Sequence, residues 1–346
     1  MTNPAAPAPD APHRRRPRYP GRNPRQFDLK YKEIEGRPDT LAKVIASGKT
    51  PAGTHRPIMV REILDFLSPQ PGDIAVDCTL GFGGHTREIL ARIQPGGRLL
   101  ALDADPIELP RTEARLREAG FGPETLQVCR SNFAGLPRAL AQTGWPMPNV
   151  ILADLGISSM QLDNPARGFS TKETGPLDMR MNPRRGITAS EFLARTSADT
   201  LSALLRENSD EPFADLLGPS LAGRQFATTT DLALAVRNAL PSLKPDDLSL
   251  TTRRVFQAVR IHINDEFSAL DTLLRCLPDC LAPGGRAAIL TFHSGEDRRV
   301  KKAFAAAARA GLLECNDDLL RPGPEERRNN PRSTSAKLRC ARKPPA

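Results

Sequence analysis

The chain has 346 residues, of which 39% are apolar, and a net charge of +9. This length allows one large α/β domain with an insertion, or two smaller domains. No apolar run approaches the roughly 18 residues that a membrane span needs, and the N-terminus lacks the apolar stretch of a secretory signal. The first 26 residues are Arg-rich, but their prolines disfavour the amphipathic helix of a mitochondrial transit peptide. We therefore expect a cytoplasmic protein without a membrane segment.

The positive charge is concentrated at the two ends of the chain. Residues 1–50 carry seven Arg and four Lys against five acidic residues, a net +6. Residues 321–346 carry six Arg and two Lys against two acidic residues, also +6. Basic ends on a near-neutral body suit contact with nucleic acid, although tails that only maintain solubility would look the same. The Pro-, Ala- and Arg-rich composition of residues 1–50 predicts a disordered tail.

The cysteine pattern does not indicate a metal site. Six cysteines are scattered along the chain, and Cys276 and Cys280 are the closest pair. No second Cys or His pair follows them, as a zinc site would require. We expect buried thiols in a reducing compartment and no metal.

Alternating strand and helix patterns begin after a first predicted helix over residues 58–67. The predicted strands are short and apolar, at 74–77, 99–102, 126–129 and 150–153. Helical patterns at 86–93 and 111–119 lie between the first three strands. Strands separated by helices predict a parallel sheet with helices on both faces.

The alternation stops near Gly156 and resumes about a hundred residues later. Residues 162–252 show helical patterns without a convincing strand, which predicts an inserted helical lobe. The predicted elements after the lobe are one long helix at 253–281, a fifth strand at 287–292, a helix at 297–310 and a terminal strand at 335–340. The predicted fold is therefore α/β, with a sheet domain formed by residues 51–161 and 253–346.

A glycine-rich loop joins the first strand to the next helix, and its sequence is Asp77-Cys-Thr-Leu-Gly81-Phe-Gly83-Gly84-His85. Glycines let the backbone approach a ligand, whose binding is favoured at a helix N-terminus. Asp103 lies 22 residues beyond Gly81, at the end of the second strand. A carboxylate at that position can accept hydrogen bonds from both ribose hydroxyls of a nucleotide or nucleoside.

Both NAD and S-adenosylmethionine bind at loops of this kind. The NAD fingerprint has a third glycine or alanine where this chain has Thr86. Asp77 suits the positively charged methionine end of S-adenosylmethionine and would be poorly placed against a pyrophosphate. The loop favours S-adenosylmethionine, and hence a Rossmann-like methyltransferase sheet, but leaves NAD as the alternative.

Methyl transfer is expected where the fourth strand ends, at Asp154-Leu-Gly-Ile-Ser158-Ser159. Many amino-methyltransferases have a short Pro-Pro-aromatic stretch there to hold the target amine, and this chain lacks it.

Several segments together carry a family resemblance. They are residues 55–60, 81–85, 154–163, 167–170, 175–183, 256–261, 281–285, 292–294 and 330–332. On these segments the chain resembles the RsmH/MraW family, bacterial methyltransferases that act on N4 of a cytosine in the decoding region of small-subunit (16S) ribosomal RNA. A mitochondrial counterpart has the same motifs. The resemblance runs from about residue 54 to residue 340, and its most specific part is Gly-Pro-Leu-Asp-Met-Arg-Met, which starts at Gly175.

The resemblance implies S-adenosylmethionine as cofactor and the small ribosomal subunit as partner. The residues that match the family's cofactor pocket are Gly83, Gly84, His85, Asp103, Phe133, Asp154 and Gln161. Phe133 would pack on the adenine, while Asp154 and Gln161 would close the pocket. The helical lobe would recognise RNA.

The chain departs from the family pattern in three places. We find no family counterpart for the first 50 residues. Gly295 stands where the family usually has Leu. The lobe segment 211–218 lacks the basic residues usual there, so the resemblance does not assign the RNA-contact surface to this segment.

The proposed chemistry needs positioning more than a base. Cytosine N4 is a weak nucleophile, because its lone pair is delocalised into the ring. An oxygen that accepts an N4–H would localise that lone pair and stabilise the developing positive charge. Asp154, Ser158 and Ser159 are the nearest candidates, and no general base is assigned. His55 and His293 could also line the cleft.

Two other classes of protein stay open from the sequence. One is an NAD-dependent oxidoreductase, and the other is a non-catalytic RNA-binding or assembly protein. Asp178 and Arg180 could pair with each other or meet RNA. The oligomeric state is also open, a homodimer included.

Overall fold

Residues 57–315 and 319–346 are described by the computed structural model. The tail at 1–50, the domain start at 51–56 and His55 lie outside the described residues. The strands are β1 Ile74–Asp77, β2 Arg98–Asp103, β3 Leu126–Arg130, β4 Val150–Asp154, β5 Arg286–Thr291, β6 Glu314–Cys315 and β7 Lys337–Arg342. All predicted strands are therefore present, with ends shifted by at most two residues. The short β6 is an element that the sequence pattern did not indicate.

Thirteen α-helices lie in the described residues. They are α1 Val60–Leu67, α2 Gly84–Ile93, α3 Glu108–Glu118, α4 Leu136–Thr143, α5 Ser159–Asp163, α6 Ala189–Arg195, α7 Ala198–Ser209, α8 Ala214–Leu221, α9 Thr229–Ala239, α10 Pro245–Ile263, α11 Glu266–Cys280, α12 Ser294–Arg309 and α13 Pro324–Asn329. Within the described part of the chain, none is long and apolar enough to cross a bilayer.

The strands form one sheet in the order β3-β2-β1-β4-β5-β7-β6. The first five strands are parallel, whereas β7 runs antiparallel to β5 and β6. The strand order reverses between β1 and β4, and ligands of open α/β sheets bind at such a point, outside the carboxyl ends of the strands. This topology confirms the Rossmann-like α/β fold.

The sheet separates two apolar cores, because side chains along a buried strand alternate between its faces. In β1, Ala75 packs into one core with α1, α2 and α3, and Val76 packs into the other with α4, α11 and α12. Leu152 and Ile151 of β4 divide in the same way. Both faces are thus covered by helices, which explains why β1, β2, β4 and β5 have apolar residues at consecutive positions.

The helical lobe has a third core of its own, to which α6 to α10 contribute. The prediction of one long helix at 253–281 is wrong, because α10 ends at Ile263 and α11 begins at Glu266. Asp265 between them has φ 51°, a left-handed conformation that interrupts the helical hydrogen bonds. The continuous apolar spacing did not reveal this break. The predicted lobe boundary at residue 252 falls inside α10, whose Val255 and Val259 pack in the lobe core.

Candidate functional site

The carboxyl ends of β1 and β4 are tied together by one threonine. Thr79 follows β1, and its hydroxyl accepts the backbone N–H of Asp154 at 2.6 Å. Its backbone N–H donates to Asp77 Oδ1 at 3.0 Å. The hydroxyl of Thr86 donates to Asp77 Oδ2 at 2.6 Å. Asp77 is 1% exposed, and this burial raises the pKa of its carboxyl. Both oxygens of Asp77 therefore anchor the loop from within.

The glycine loop is held against the end of β2. The backbone N–H of Gly81 donates to Asp103 Oδ2 at 2.8 Å. Gly83 precedes α2 with φ 79°, and a Cβ added there would lie 2.9 Å from Thr112 Cγ2. A side chain at this position would be strained and crowded, so glycine lets the loop backbone pack closely against α3.

Asp103 lies where the sequence predicted it, with both oxygens engaged. Oδ2 accepts from Gly81, and Oδ1 accepts the N–H of Asp105 at 2.8 Å. Burial raises the pKa of Asp103 to about 6, although these two hydrogen bonds act in the opposite direction. Each carboxylate oxygen retains a further lone pair that could accept a ligand hydroxyl.

His85, which is buried, faces Asp154, whose side chain is 22% exposed, across the loop. His85 Nδ1 lies 3.4 Å from Asp154 Oδ2, and its Nε2 lies 2.9 Å from the carbonyl oxygen of Ile58. Both neighbouring atoms are acceptors, so the ring serves both when it carries two protons. Burial lowers the pKa of His85, but Asp154, Asp77 and the Ile58 carbonyl together outweigh it, and the net pKa is raised.

Asp154 has one oxygen that its surroundings do not satisfy. Oδ1 is buried and has no hydrogen-bond partner among the described residues. An unpaired buried carboxylate oxygen is costly, and such atoms commonly mark a place where a ligand or water donates. The end of β4 therefore presents an acceptor in need of a donor.

A second carboxylate near β2, Asp105, joins several parts of the site. It is 1% exposed, and its Oδ2 accepts from Gln161 Nε2 and from Arg167 Nη1, each at 2.7 Å. Its Oδ1 accepts the backbone N–H groups of Ile107 and Glu108. Asp105 thus fixes the side chain of Gln161, a residue predicted to close the cofactor pocket.

Arg167 extends this network into the lobe. Its Nη2 donates to the carbonyl oxygens of Arg180 and Met181 at 3.1 and 2.8 Å. The side chain of Asn264, at the end of α10, holds the same loop by binding the Met181 N–H and the Met179 carbonyl. A continuous set of polar contacts therefore runs from β2 to the lobe.

The predicted catalytic serines lie at the start of α5. Ser158 caps this helix: its Oγ accepts the N–H of Gln161, whose Oε1 accepts the N–H of Ser158. Ser159 is the first residue of α5. Phe133 lies in a single 3₁₀ turn after β3 and is partly buried against the core beneath it.

Of the two other candidate histidines, His293 lies in the described residues, at the N-cap of α12 after β5. Its Nδ1 accepts from the N–H of Glu296, and its ring lies 5.8 Å from that of Phe267. A Cβ added to Gly295 would lie 2.6 Å from Phe267 Cζ. Phe267 therefore fills the space that a leucine at position 295 would need, which explains this departure from the family pattern.

Asp178 and Arg180 pair with each other, which was one of the two alternatives open from the sequence. Arg180 Nε and Nη2 donate to the two oxygens of Asp178 at 2.7 and 2.8 Å. Met179 between them is fully buried, with φ 62°. The pair stabilises the turn on which Arg167 and Asn264 act.

Sequence reasoning missed three residues that organise the site: Thr79, Asp105 and Arg167. Thr79 lies inside the glycine loop, and Asp105 lies two residues after Asp103, so their positions were available as signals. Arg167 was noted only as part of a motif. Its partner lies 62 residues away, a distance that no local pattern can bridge.

Comparison with known proteins gives consistent results. A profile of the MraW methylase family matches residues 52–344. A protein of Lachnoclostridium phytofermentans, ribosomal RNA small subunit methyltransferase H 1, is 46% identical over 341 residues, covering 95% of this chain and 93% of that protein. A protein of Halorhodospira halophila, ribosomal RNA small subunit methyltransferase H, is 41% identical over 318 residues, covering 86% and 96% of the two chains.

These matches also correct one expectation about the N-terminal residues. Because 95% of the chain aligns with the first of these relatives, the similarity must extend into the first 50 residues, where the sequence alone had indicated no counterpart. Local composition hid it, since a Pro- and Arg-rich stretch offers few distinctive motifs. The profile and both relatives agree across nearly the whole chain, and the protein belongs to the MraW methylase family.

Proposed function

We propose that this protein transfers a methyl group from S-adenosylmethionine to the exocyclic N4 amine of a cytosine in small-subunit (16S) ribosomal RNA. The observation that carries the proposal is Asp154, whose unpaired oxygen lies at the switch point of a methylase-family sheet. We place the reaction in the cytoplasm, on the small ribosomal subunit or its RNA. The homodimer considered from the sequence stays a prediction.

The residues present fit S-adenosylmethionine. Gly83 lets the loop backbone pass close to Thr112 of α3, and Asp103 presents two oxygens with spare lone pairs at the end of β2. Asp154 offers an acceptor near the loop. The remaining residues assigned to the pocket are Asp77, Gly81, Gly84, His85, Phe133 and Gln161. When bound, the cofactor supplies an electrophilic methyl group on a sulfonium.

Asp154 is the residue we assign to the target amine. Its Oδ2 faces His85, while Oδ1 is left to accept an N–H, and N4 of cytosine carries two such hydrogens. Accepting one of them localises the nitrogen lone pair and orients it in line with the methyl group. Ser158 uses its hydroxyl as a helix cap, so it contributes through the position of α5. The N4 proton can leave after transfer, and no side chain is needed as a base.

Mass spectrometry of nucleosides tests the activity. Small ribosomal subunits from a strain that lacks the enzyme are incubated with the protein and radiolabelled S-adenosylmethionine, and the RNA is then digested. We expect label in N4-methylcytidine. Label in another nucleoside would contradict the assigned atom, and the absence of label would favour the non-catalytic alternative. Calorimetry with NADH is expected to show no binding, which removes the oxidoreductase.

Asp103 makes the affinity for the cofactor depend on pH. Its ionised carboxylate binds ribose hydroxyls, and its pKa is raised to about 6. Protonation between pH 7.5 and 5 is therefore expected to weaken the binding of S-adenosylmethionine about tenfold. Asp103→Ala is expected to weaken binding at least tenfold at pH 7.5, equal to about 1.4 kcal/mol, and to remove this part of the pH dependence. Calorimetry across the pH range measures both effects.

The raised pKa of Asp103 affects folding stability in the opposite direction to cofactor affinity. A carboxyl whose pKa is raised in the folded state favours folding at pH values below its ordinary pKa near 3.8, and this contribution is lost as the pH rises through about 6.

An Asp103→Ala variant that bound the cofactor with unchanged affinity and pH profile would disprove the assignment of Asp103 to the ribose hydroxyls.

A further inference from the structure

We propose that an arginine-rich surface on the C-terminal segment binds the RNA backbone beside the methyl-transfer site. This C-terminal basic surface comprises Arg321, Arg327 and Arg328. The inference rests on the proposed function, because it assumes that RNA is the substrate. It concerns where the phosphates are held, which the family resemblance had left to the helical lobe.

One end of the segment is attached next to the cofactor loop. Glu326, in α13, accepts the backbone N–H of Met59 at 2.8 Å. Met59 follows Ile58, whose carbonyl oxygen lies 2.9 Å from His85 Nε2. The helix that carries Arg327 and Arg328 is therefore connected, through Met59 and Ile58, to His85.

The other end is attached to the helix that follows β4. Arg332 donates to Asp163 at 2.6 Å. Asp163 is the last residue of α5, a helix of five residues that spans only about 8 Å. Gln161 and the Ser158 cap lie within this length. The segment thus contacts both Met59, next to the residue that binds His85, and α5, the helix that follows β4.

Buried residues hold the segment in place between these attachments. Ser333, Ala336 and Leu338 are fully buried, and the last two share a core with Met59. Leu320 and Leu338 form a bridge that returns the chain to β7. Because the backbone is fixed on both sides, the arginines start from defined positions, which lowers the entropic cost of ordering them on a ligand.

The charges on this segment are available to solvent. Arg321, Arg327 and Arg328 are exposed, and none of them forms an ion pair within residues 57–315 and 319–346. Of the two acids of α13, Glu326 is occupied by Met59. Guanidinium groups bind phosphate oxygens through paired N–H donors, so an RNA backbone fits this surface.

The lobe segment 211–218, where the family usually has basic residues, contains no Lys or Arg. In residues 211–218, Glu211 is buried, and Asp215 is paired with Arg206. The basic residues missing from this segment are therefore supplied, in our proposal, by the C-terminal segment. Phosphate contacts there would fix the register of the RNA, whereas the cytosine itself would have to be unstacked and read in the cleft.

The test compares two double variants that lose the same charge. Arg327→Gln/Arg328→Gln removes two exposed cations from the surface. Lys301→Gln/Lys302→Gln removes two exposed cations from the middle of α12 and serves as the matched control. Retention of a transcribed small-subunit rRNA on filters is measured between about 50 and 300 mM KCl. Calorimetry with S-adenosylmethionine verifies that each variant still binds the cofactor.

We expect the Arg327/Arg328 variant to bind RNA roughly three- to tenfold more weakly near 100 mM salt. The slope of log K against log salt concentration should become less steep by about 1 to 2. The reason is that a phosphate contact that no longer forms no longer releases counterions from the RNA. The control should change little, and Arg327→Lys/Arg328→Lys should retain most of the slope. Equal slopes in the two glutamine variants would overturn the proposal. Methyl transfer by the unchanged protein is measured separately, and its absence would contradict the proposed function. The salt dependence of RNA binding by the variants tests the C-terminal basic surface independently of that result.

Discussion

Replacing Arg167 by methionine is expected to lower the free energy of unfolding by about 3–5 kcal/mol, because it leaves a buried carboxylate without its cation. Arg167 is 7% exposed and its partner Asp105 is 1% exposed, at 2.7 Å. The variant also leaves the carbonyl oxygens of Arg180 and Met181 without their shared donor. Methionine retains much of the volume of the arginine stem, so the loss is mainly electrostatic. Urea denaturation monitored by circular dichroism measures it.

The control for this prediction is an exposed ion pair of the same type. Arg298 donates to both oxygens of Asp210, but the two side chains are 50% and 46% exposed. Arg298→Met should therefore cost less than about 1 kcal/mol. Adding Asp105→Asn to Arg167→Met should recover part of the stability, since the unpaired charge is gone while the amide oxygen still accepts the N–H groups of Ile107 and Glu108. If Arg167→Met and Arg298→Met lower the free energy of unfolding by the same amount, the buried network does not stabilise the protein more than an exposed ion pair does.

Asp154→Asn is expected to reduce kcat for methyl transfer by about 10²- to 10³-fold at saturating cofactor. The substitution preserves the shape of the side chain, but an amide oxygen is a weaker acceptor for the N4–H. It also removes the negative charge that raises the pKa of His85. The measurement is initial rate against RNA concentration, with S-adenosylmethionine raised until the rate no longer depends on it.

Saturation with cofactor separates two roles of this residue. If excess S-adenosylmethionine restores the full rate, Asp154 only binds the cofactor, and the assignment to the target amine is wrong. Asp65→Asn provides a control on an exposed carboxylate, which is 72% accessible and paired with Arg61 in α1. Its rate should match that of the unchanged protein.

The parallel sheet could be predicted from the sequence because its information is local. Strands β1, β2, β4 and β5 are short apolar runs with Gly, Pro or Asp close to their ends, and the predicted and observed positions of β1 differ by no residue. The glycine loop and Asp103 were recognisable for the same reason. Their spacing reflects one strand, one helix and the next strand end.

The helical part was harder to predict, because apolar spacing does not show where a helix breaks. Residues 253–281 have one continuous apolar pattern, yet Asp265 adopts a left-handed conformation and divides it. The break allows Asn264 to turn its side chain onto the loop at 179–181. That contact bridges more than eighty residues, and nothing in the local sequence signals it.

The sheet, the glycine loop and the family could be recognised from residue types at short, regular spacings. The assembly of the site could be seen only in the folded protein. The structure shows that Asp77 anchors the loop from within, that Asp105 joins Gln161 to Arg167, and that Asp154 is left with an unpaired oxygen. The physical reason is that hydrogen bonding and burial depend on groups far apart in the chain. Their partners become definite only when strands and helices have packed.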